Sequence, residues 1–308
     1  MNIPYITIIV PTYNSANTVR KCIESLFGID YPKYDILIVD DGSIDNTINI
    51  LEEYKDRIAC IKNAHVGPSK CRNIAAKQAK GEFLAFTDSD CIVDKNWLRE
   101  LAKGFINDMI VSVGGSQLSP SDETYFGRRV QDFFELTGFL GGYIKNKSNK
   151  EVRQVAHNPS CNAMYRKAAF LDIGGFDETL WPSEDVDLDY RLKKRGSEFR
   201  YNPQAIVYHY RPQNLRNLLH MMFRYGIMQG RLTKRYGFFR KIQIVPIVLI
   251  LLIILFIINP LWLLLLIIPY VFVLSKIGNI LEGNFVSFLC ISSVLYWIVG
   301  LIKGLITK

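Results

Sequence analysis

Asp88-Ser89-Asp90 places two carboxylates one residue apart, directly after the apolar run Phe83 to Phe86. On a turn behind a strand, such a pair divides two tasks: one carboxylate ligates a divalent cation, and the other bonds a ribose hydroxyl or a water of the ion. A cation held in this way neutralises a departing diphosphate. The same triplet also arises as a plain turn or a helix cap. A second cluster, Ser183-Glu184-Asp185-Val186-Asp187, opens a segment that ends in Lys193, Lys194 and Arg195, the charge order that a helix dipole favours. A carboxylate there can remove the proton of an attacking hydroxyl, or it can simply cap its helix.

These residues need elements to position them. Ile6 to Val10 is a short β-branched run ended by Pro11, which suits a buried parallel strand. The alternation then predicts a helix over 16–27, a strand over 35–39, a helix over 45–54, a strand over 58–61, a helix over 68–80 and a strand over 83–86. Strands alternating with helices predict a parallel sheet covered on both faces, with ligands at the carboxyl ends of the strands. Pro11-Thr12-Tyr13-Asn14, Asp40-Asp41-Gly42-Ser43, Ala64-His65-Val66-Gly67 and Asp88-Ser89-Asp90 follow the four strands. Asp40-Asp41 offers acceptors for the N–H edge of a base, Tyr13 offers a ring face, and Arg72 can reach phosphate. Singly, Asp40 to Ser43 reads as a helix cap and Arg72 as a solvated cation; their convergence on four strand ends favours a binding crevice. Further on, the pattern predicts a helix over 96–105, a strand over 110–113, a helix over 126–136 and a Gly/Asn/Lys-rich loop over 141–150. Trp181, just before the second carboxylate cluster, offers a ring face for stacking.

The net charge of +8 raises the possibility of nucleic acid, but its distribution argues otherwise. Eight basic residues and no acidic ones lie between Arg211 and Lys241, whereas residues 1–210 carry 26 basic and 28 acidic groups. Ile242 to Ser275 and Gly283 to Ile302 contain no charged residue, a pattern of membrane segments. Asn259-Pro260 divides the first stretch, so two to three spans are expected, three preferred. A basic flank before a span places the preceding domain on the cytoplasmic side. Leu215, Leu218, Leu219, Met222, Phe223 and Ile227 recur at helical spacing, which reads as an interfacial helix or as a helix packed on protein. The six cysteines lack CxxC pairing and read as reduced thiols, and the N-terminus has no secretory signal pattern.

Val10-Pro11-Thr12-Tyr13-Asn14, Val39-Asp40-Asp41-Gly42-Ser43, Arg72-Asn73, Asp88-Ser89-Asp90, Gly174-Gly175-Phe176-Asp177 and Glu184-Asp185 together resemble the family-2 glycosyltransferases over roughly the first 210 residues. The resemblance implies an α/β GT-A fold, Rossmann-like with a mainly parallel sheet, over 1–212. A basic amphipathic region (213–241) and transmembrane helices (242–308) follow. It implies that Pro11 and Tyr13 line the base pocket, that Asp41 bonds the base and that Arg72 approaches the nucleotide, with Thr12, Asn14 and Ser89 alongside. Asp88 would meet the ribose or the metal shell, and Asp90 would ligate Mn²⁺ or Mg²⁺ with His209 as a third ligand. Asp185 would be the general base, with Glu184 near the acceptor. Gln229-Gly230-Arg231-Leu232 does not reproduce the Gln-x-x-Arg-Trp motif of processive synthases, so single transfers are expected.

The expected activity is a metal-dependent, inverting hexosyl transfer from a UDP- or GDP-sugar to a lipid-linked saccharide. The enzyme would be a multi-pass protein of the cell membrane with its catalytic domain in the cytoplasm. The alternatives are a polyprenyl-phosphate sugar synthase and a non-catalytic binding or assembly protein.

Overall fold

The computed structural model describes residues 3–139, 151–259, 261 and 267–307; the expected loop over 141–150 lies outside them. The chain forms two compact units, Met1–Pro120 with Lys145–Tyr210, and Ser121–Ile144 with Arg211–Lys308.

The first unit is built on one nine-stranded sheet. Its strands are β1 (Ile6–Thr12), β2 (Tyr34–Asp40), β3 (Ala59–Lys62), β4 (Phe83–Thr87), β5 (Cys91–Val93), β6 (Ile110–Leu118), β7 (Arg153–Val155), β8 (Asn162–Arg166) and β9 (Glu198–His209). Its helices are α1 (Val19–Phe27), α2 (Thr47–Glu52), α3 (Pro68–Gln78), α4 (Trp97–Lys103), α6 (Lys167–Asp172) and α7 (Glu184–Lys194); α5 (Tyr125–Thr137) belongs to the second unit. The order is β3-β2-β1-β4-β8-β6-β9-β5, and β7 pairs with β9. β3, β2, β1 and β4 are parallel; the continuous apolar runs of β1, β2 and β4 suit strands buried on both faces, while β3 is the exposed edge. Beyond β4 the sheet is mixed, because β8 enters antiparallel between β4 and β6.

Alternate residues of each strand feed opposite faces. Ile6, Ile8, Val10, Ile36 and Ile38 pack with α1, α2 and α4, while Ile9, Leu37, Val39, Leu84 and Phe86 pack with α3, α6 and α7. Both faces are thus covered, and every polar strand end is left at the carboxyl edge.

In the second unit α5 is joined by α8 (Leu215–Tyr236), α9 (Val245–Ile258), α10 (Ile267–Ile277) and α11 (Ile280–Ile306). The stripe on α8 is partly taken up by protein packing: Leu218 and Met222 are buried with Phe133 and Phe134 of α5 and Val286, Leu289, Trp297 and Leu301 of α11. Of the two to three spans expected, the described residues hold one candidate. Among the described residues only α11, 27 residues long, is long and apolar enough to cross a membrane. α9 has 14 residues and α10 has 11, short of the ~20 a span needs. Within the uncharged stretch α9 stops at Ile258, where Asn259 turns to extended backbone.

α8 and α11 meet backbone to backbone. A Cβ on Gly226 would overlap the Trp297 carbonyl, and one on Gly230 the Leu301 carbonyl; reciprocally, Gly300 abuts the Phe223 carbonyl and Gly304 that of Ile227. Gly300→Leu should therefore force the two helices apart, at about 1–3 kcal/mol or more. Thermal unfolding of the solubilised chain measures this, with the exposed Ile302→Leu as control; an unchanged midpoint for Gly300→Leu would contradict the seam.

Candidate active site

The loops behind β1 and β2 are stitched together. Asn14, at a left-handed φ of 49°, donates its backbone N–H to Ser43 Oγ at 2.9 Å and accepts from the Ile44 N–H at 2.9 Å. Ser15 Oγ lies 2.8 Å from Ser89 Oγ, which ties the first loop to the Asp-Ser-Asp triplet. Pro11 is buried within β1.

Tyr13 is half-exposed and its ring lies 4.3 Å, centroid to centroid, from that of His65. Asp41, by contrast, faces inward: its two oxygens accept from the Val66 N–H at 2.6 Å and the Gly67 N–H at 2.9 Å. Its carboxylate holds the loop that carries His65. Asp40 uses one oxygen to accept from the Gly42 and Ser43 N–H groups, both at 3.1 Å. Its other oxygen is buried without a partner, as are Thr12 Oγ1, Ser69 Oγ, Arg72 Nε and Thr87 Oγ1. These five atoms sit at the ends of β1, β2 and β4 and in the first turns of α3, and Thr12 and Asp40 are register partners. Unpaired buried polar atoms cost roughly 1–3 kcal/mol each, so a row of them at one sheet edge is the signature of a polar ligand site.

Arg72 is the centre of the site. It is 3% exposed and donates through Nη2 to Asp88 at 2.5 Å and through Nη1 to Glu184 at 2.8 Å. Burial works against its charge, and Asp88 and Glu184 more than restore it, so its pKa is raised. Burial also pushes the Glu184 carboxyl up, against the pull of Arg72. The neighbouring Asn73 clamps the turn that leads to α7, donating to the Phe176 carbonyl and accepting from the Phe176 N–H, both at 2.9 Å. Gly175 lies at φ 71° directly against that amide, where a side chain would collide with it.

Asp90 and His209 approach to 3.4 Å between carboxylate Oδ1 and imidazole Nε2, close to the ~3 Å that separates adjacent ligands of a cation bound at ~2.1 Å. Cys91 Sγ completes a group whose ligand atoms all lie within 4.8 Å. Cys91 and His209 are cross-strand partners of β5 and β9. Burial pushes the Cys91 thiol well up, which keeps it protonated and a poor ligand. Burial lowers the His209 imidazole, but Asp90 outweighs it and the pKa is pushed up to about 10. The oxygen and imidazole donors, with Asp90 nearly half-exposed, fit a divalent ion such as Mn²⁺ or Mg²⁺ that keeps open positions for phosphate oxygens.

Asp185, in the first turn of α7, accepts from the Ser160 N–H at 3.1 Å on Oδ2 and from the Val186 N–H at 2.7 Å on Oδ1. Trp181, on the approach to α7, is 38% exposed. Among the sequence-predicted residues, Arg72, Asp88 and Glu184 meet directly, Asp90 meets His209, and Ser89 joins the Asn14 loop. Asp41 does not present a free carboxylate edge. Asp40 and His65 stood at sequence-marked strand ends without an individual role for His65, whereas His157 and Asp189 had no sequence signal; they pair behind Asp185, with Asp189 fully buried and His157 partly so.

The family model for Glycosyl transferase family 2 matches residues 7–174, which hold β1 to β4 and the triplet. The chain belongs to that family. Its fold is GT-A. It is similar to the pre-mycofactocin glycosyltransferase of Mycobacterium tuberculosis, 28% identical over 244 residues, covering 75% of this chain and 48% of that protein. It is also similar to glycosyltransferase AglE of Haloferax volcanii, 27% identical over 215 residues, covering 67% of each. The chain thus spans about half the length of the mycobacterial relative. The structure of mannosyltransferase PcManGT from Pyrobaculum calidifontis, in complex with GDP-Man and Mn²⁺, aligns with 100% of this chain and 89% of its own at a TM-score of 0.65 and 17% identity, a likeness of fold.

Proposed function

We propose that this family-2 transferase moves a hexose, with inversion, from a nucleoside diphosphate-sugar to a hydroxyl of a lipid-linked saccharide. The observation that carries this reading is Arg72, which ties Asp88 of the triplet to Glu184 beside Asp185 on one buried guanidinium. The donor-side and acceptor-side carboxylates are thereby fixed against each other.

Tyr13 and His65 offer ring faces to the base, and the unpartnered oxygen of Asp40, rather than Asp41, accepts from it. Asp90 and His209 would hold Mn²⁺ or Mg²⁺, which when bound neutralises the diphosphate as it leaves. Asp185 takes the proton of the acceptor hydroxyl as the oxygen attacks the anomeric carbon from the face opposite the diphosphate. Trp181 stacks on the acceptor sugar. α11, with the basic residues of 211–241 before it, supports association with a membrane, the catalytic unit facing the cytoplasm. The PcManGT complex supports a nucleotide-sugar and a divalent cation as ligands of this fold.

A thermal-shift screen of UDP- and GDP-sugars with and without Mn²⁺ tests the reading. A true donor at 100 times its Kd stabilises the fold by about 2.7 kcal/mol. Asp90→Ala is expected to remove the Mn²⁺-dependent part of that shift; a metal-dependent shift that survives the substitution, or no shift with any donor, refutes the proposal.

A further inference from the structure

Behind Asp185 lies a second polar chain. His157 Nδ1 sits 2.9 Å from Asp189 Oδ2, and its Nε2 sits 3.9 Å from Asp185 Oδ2. Asp189 is fully buried on α7, one turn beyond Asp185. It accepts further from the Tyr165 hydroxyl at 2.8 Å and from the Asn158 N–H at 2.7 Å. Asn158 is held in turn, its amide donating to Ser112 Oγ at 2.9 Å and to the Arg200 carbonyl at 3.2 Å. The imidazole is therefore fixed on one side by a carboxylate that has no solvent, while its other nitrogen faces the base.

This arrangement sets the tautomer. A buried carboxylate that already accepts two hydrogen bonds draws the Nδ1 proton of the ring, which leaves Nε2 as the acceptor. Nε2 then faces Asp185 across a gap longer than a hydrogen bond, of the kind that such pairs close only in the substrate complex.

We propose that His157 is the positioning residue and proton sink behind Asp185, with Asp189 as its anchor; this rests on the reading of Asp185 as the base. In the transfer step the acceptor O–H proton passes to Asp185 as the acceptor oxygen bonds the anomeric carbon and the diphosphate leaves with the electron pair of the broken C–O bond. The proton then moves from Asp185 to Nε2 of His157. The resulting imidazolium is paired with the Asp189 carboxylate, and Asp185 is returned to its basic form. His157 is 14% exposed in its side chain, enough to release the proton to water when product leaves. Asp185 and Asp189 on α7, with Tyr165 on β8 bonded to Asp189, are titratable groups that face this ring among the described residues.

The test compares His157→Asn, His157→Ala and Asp185→Asn in the full-length chain with a saccharide acceptor. Asn keeps a donor near the Nδ1 position toward Asp189 but has nothing at the Nε2 position. It should lower kcat by roughly 10²-fold, the low end of what a positioned proton acceptor contributes, with donor KM and Tm unchanged. Added imidazole should restore part of the activity of His157→Ala and none of that of Asp185→Asn. An unchanged kcat in His157→Asn overturns the relay. So does a loss of activity that tracks a fall in Tm and donor binding and is not restored by imidazole. Undiminished transfer by Asp185→Asn instead overturns the base reading itself, and the relay with it.

Discussion

Asp185→Asn should lower transfer to a hydroxyl acceptor by about 10²–10⁴-fold, the usual contribution of a positioned base, while leaving donor binding intact. The asparagine keeps the shape of the side chain and can still accept from the Ser160 N–H, which now meets Asp185 Oδ2 at 3.1 Å. It cannot take up a proton. Because Asp185 is not part of the Arg72 fork, the substitution leaves Asp88 and Glu184 paired. A steady-state assay with a saccharide acceptor, alongside donor titration by thermal shift, separates chemistry from binding. Near-normal turnover would sink the hydroxyl-acceptor reading and favour a phosphate acceptor, which as an anion needs no base.

The largest expected stability effect belongs to Arg72→Met. Glu184 is 2% exposed and, without Arg72, would be a buried carboxylate with Asp185 and Asp88 nearby. Removing one partner of a buried ion pair costs about 3–5 kcal/mol, which for a domain of this size corresponds to a fall in Tm of about 6–20 °C. Methionine fills much of the volume, so the loss reports the missing charge rather than a cavity. Glu184→Gln in the Arg72→Met background should recover part of the loss, since an amide needs no counter-charge. Arg72→Lys should not restore the parent, because one ammonium cannot donate to Asp88 and Glu184 in the planar fork that now spans 2.5 and 2.8 Å. Equal midpoints for parent and Arg72→Met would contradict the central role given to this guanidinium.

The strand ends were legible because each rests on a local pattern: an apolar β-branched run, then small polar residues, then a helix. Asp88, Asp90 and Glu184 stand out in sequence for the same reason. Their mutual arrangement does not. Arg72 meets Glu184 across 112 residues, and no periodicity links them. Sequence cannot say which of two adjacent aspartates turns toward the next loop. The Val66 and Gly67 N–H groups claim Asp41, and Asp40 keeps the unpartnered oxygen. His157 and Asp189 were missed since one precedes β8 and the other lies within α7, where an acidic residue on a helix reads as solvated. Absence of charge measures composition, whereas crossing a bilayer also requires an uninterrupted helix, and among the described residues α11 meets both conditions.

The glycine seam between α8 and α11 bears on how the second unit endures a change of surroundings. Lipid tails are as apolar as leucine, so in a bilayer no solvent drives helices together, and cohesion falls to close backbone approach and van der Waals contact. The pairs Gly226 with Gly230 and Gly300 with Gly304 provide that approach from both sides. The helix pair is therefore assembled by shape and not by the exclusion of water. Such a seam is expected to hold one register whether its surroundings are lipid or detergent, which would keep Arg224, Arg231, Lys234 and Arg235 of α8 at fixed heights along α11.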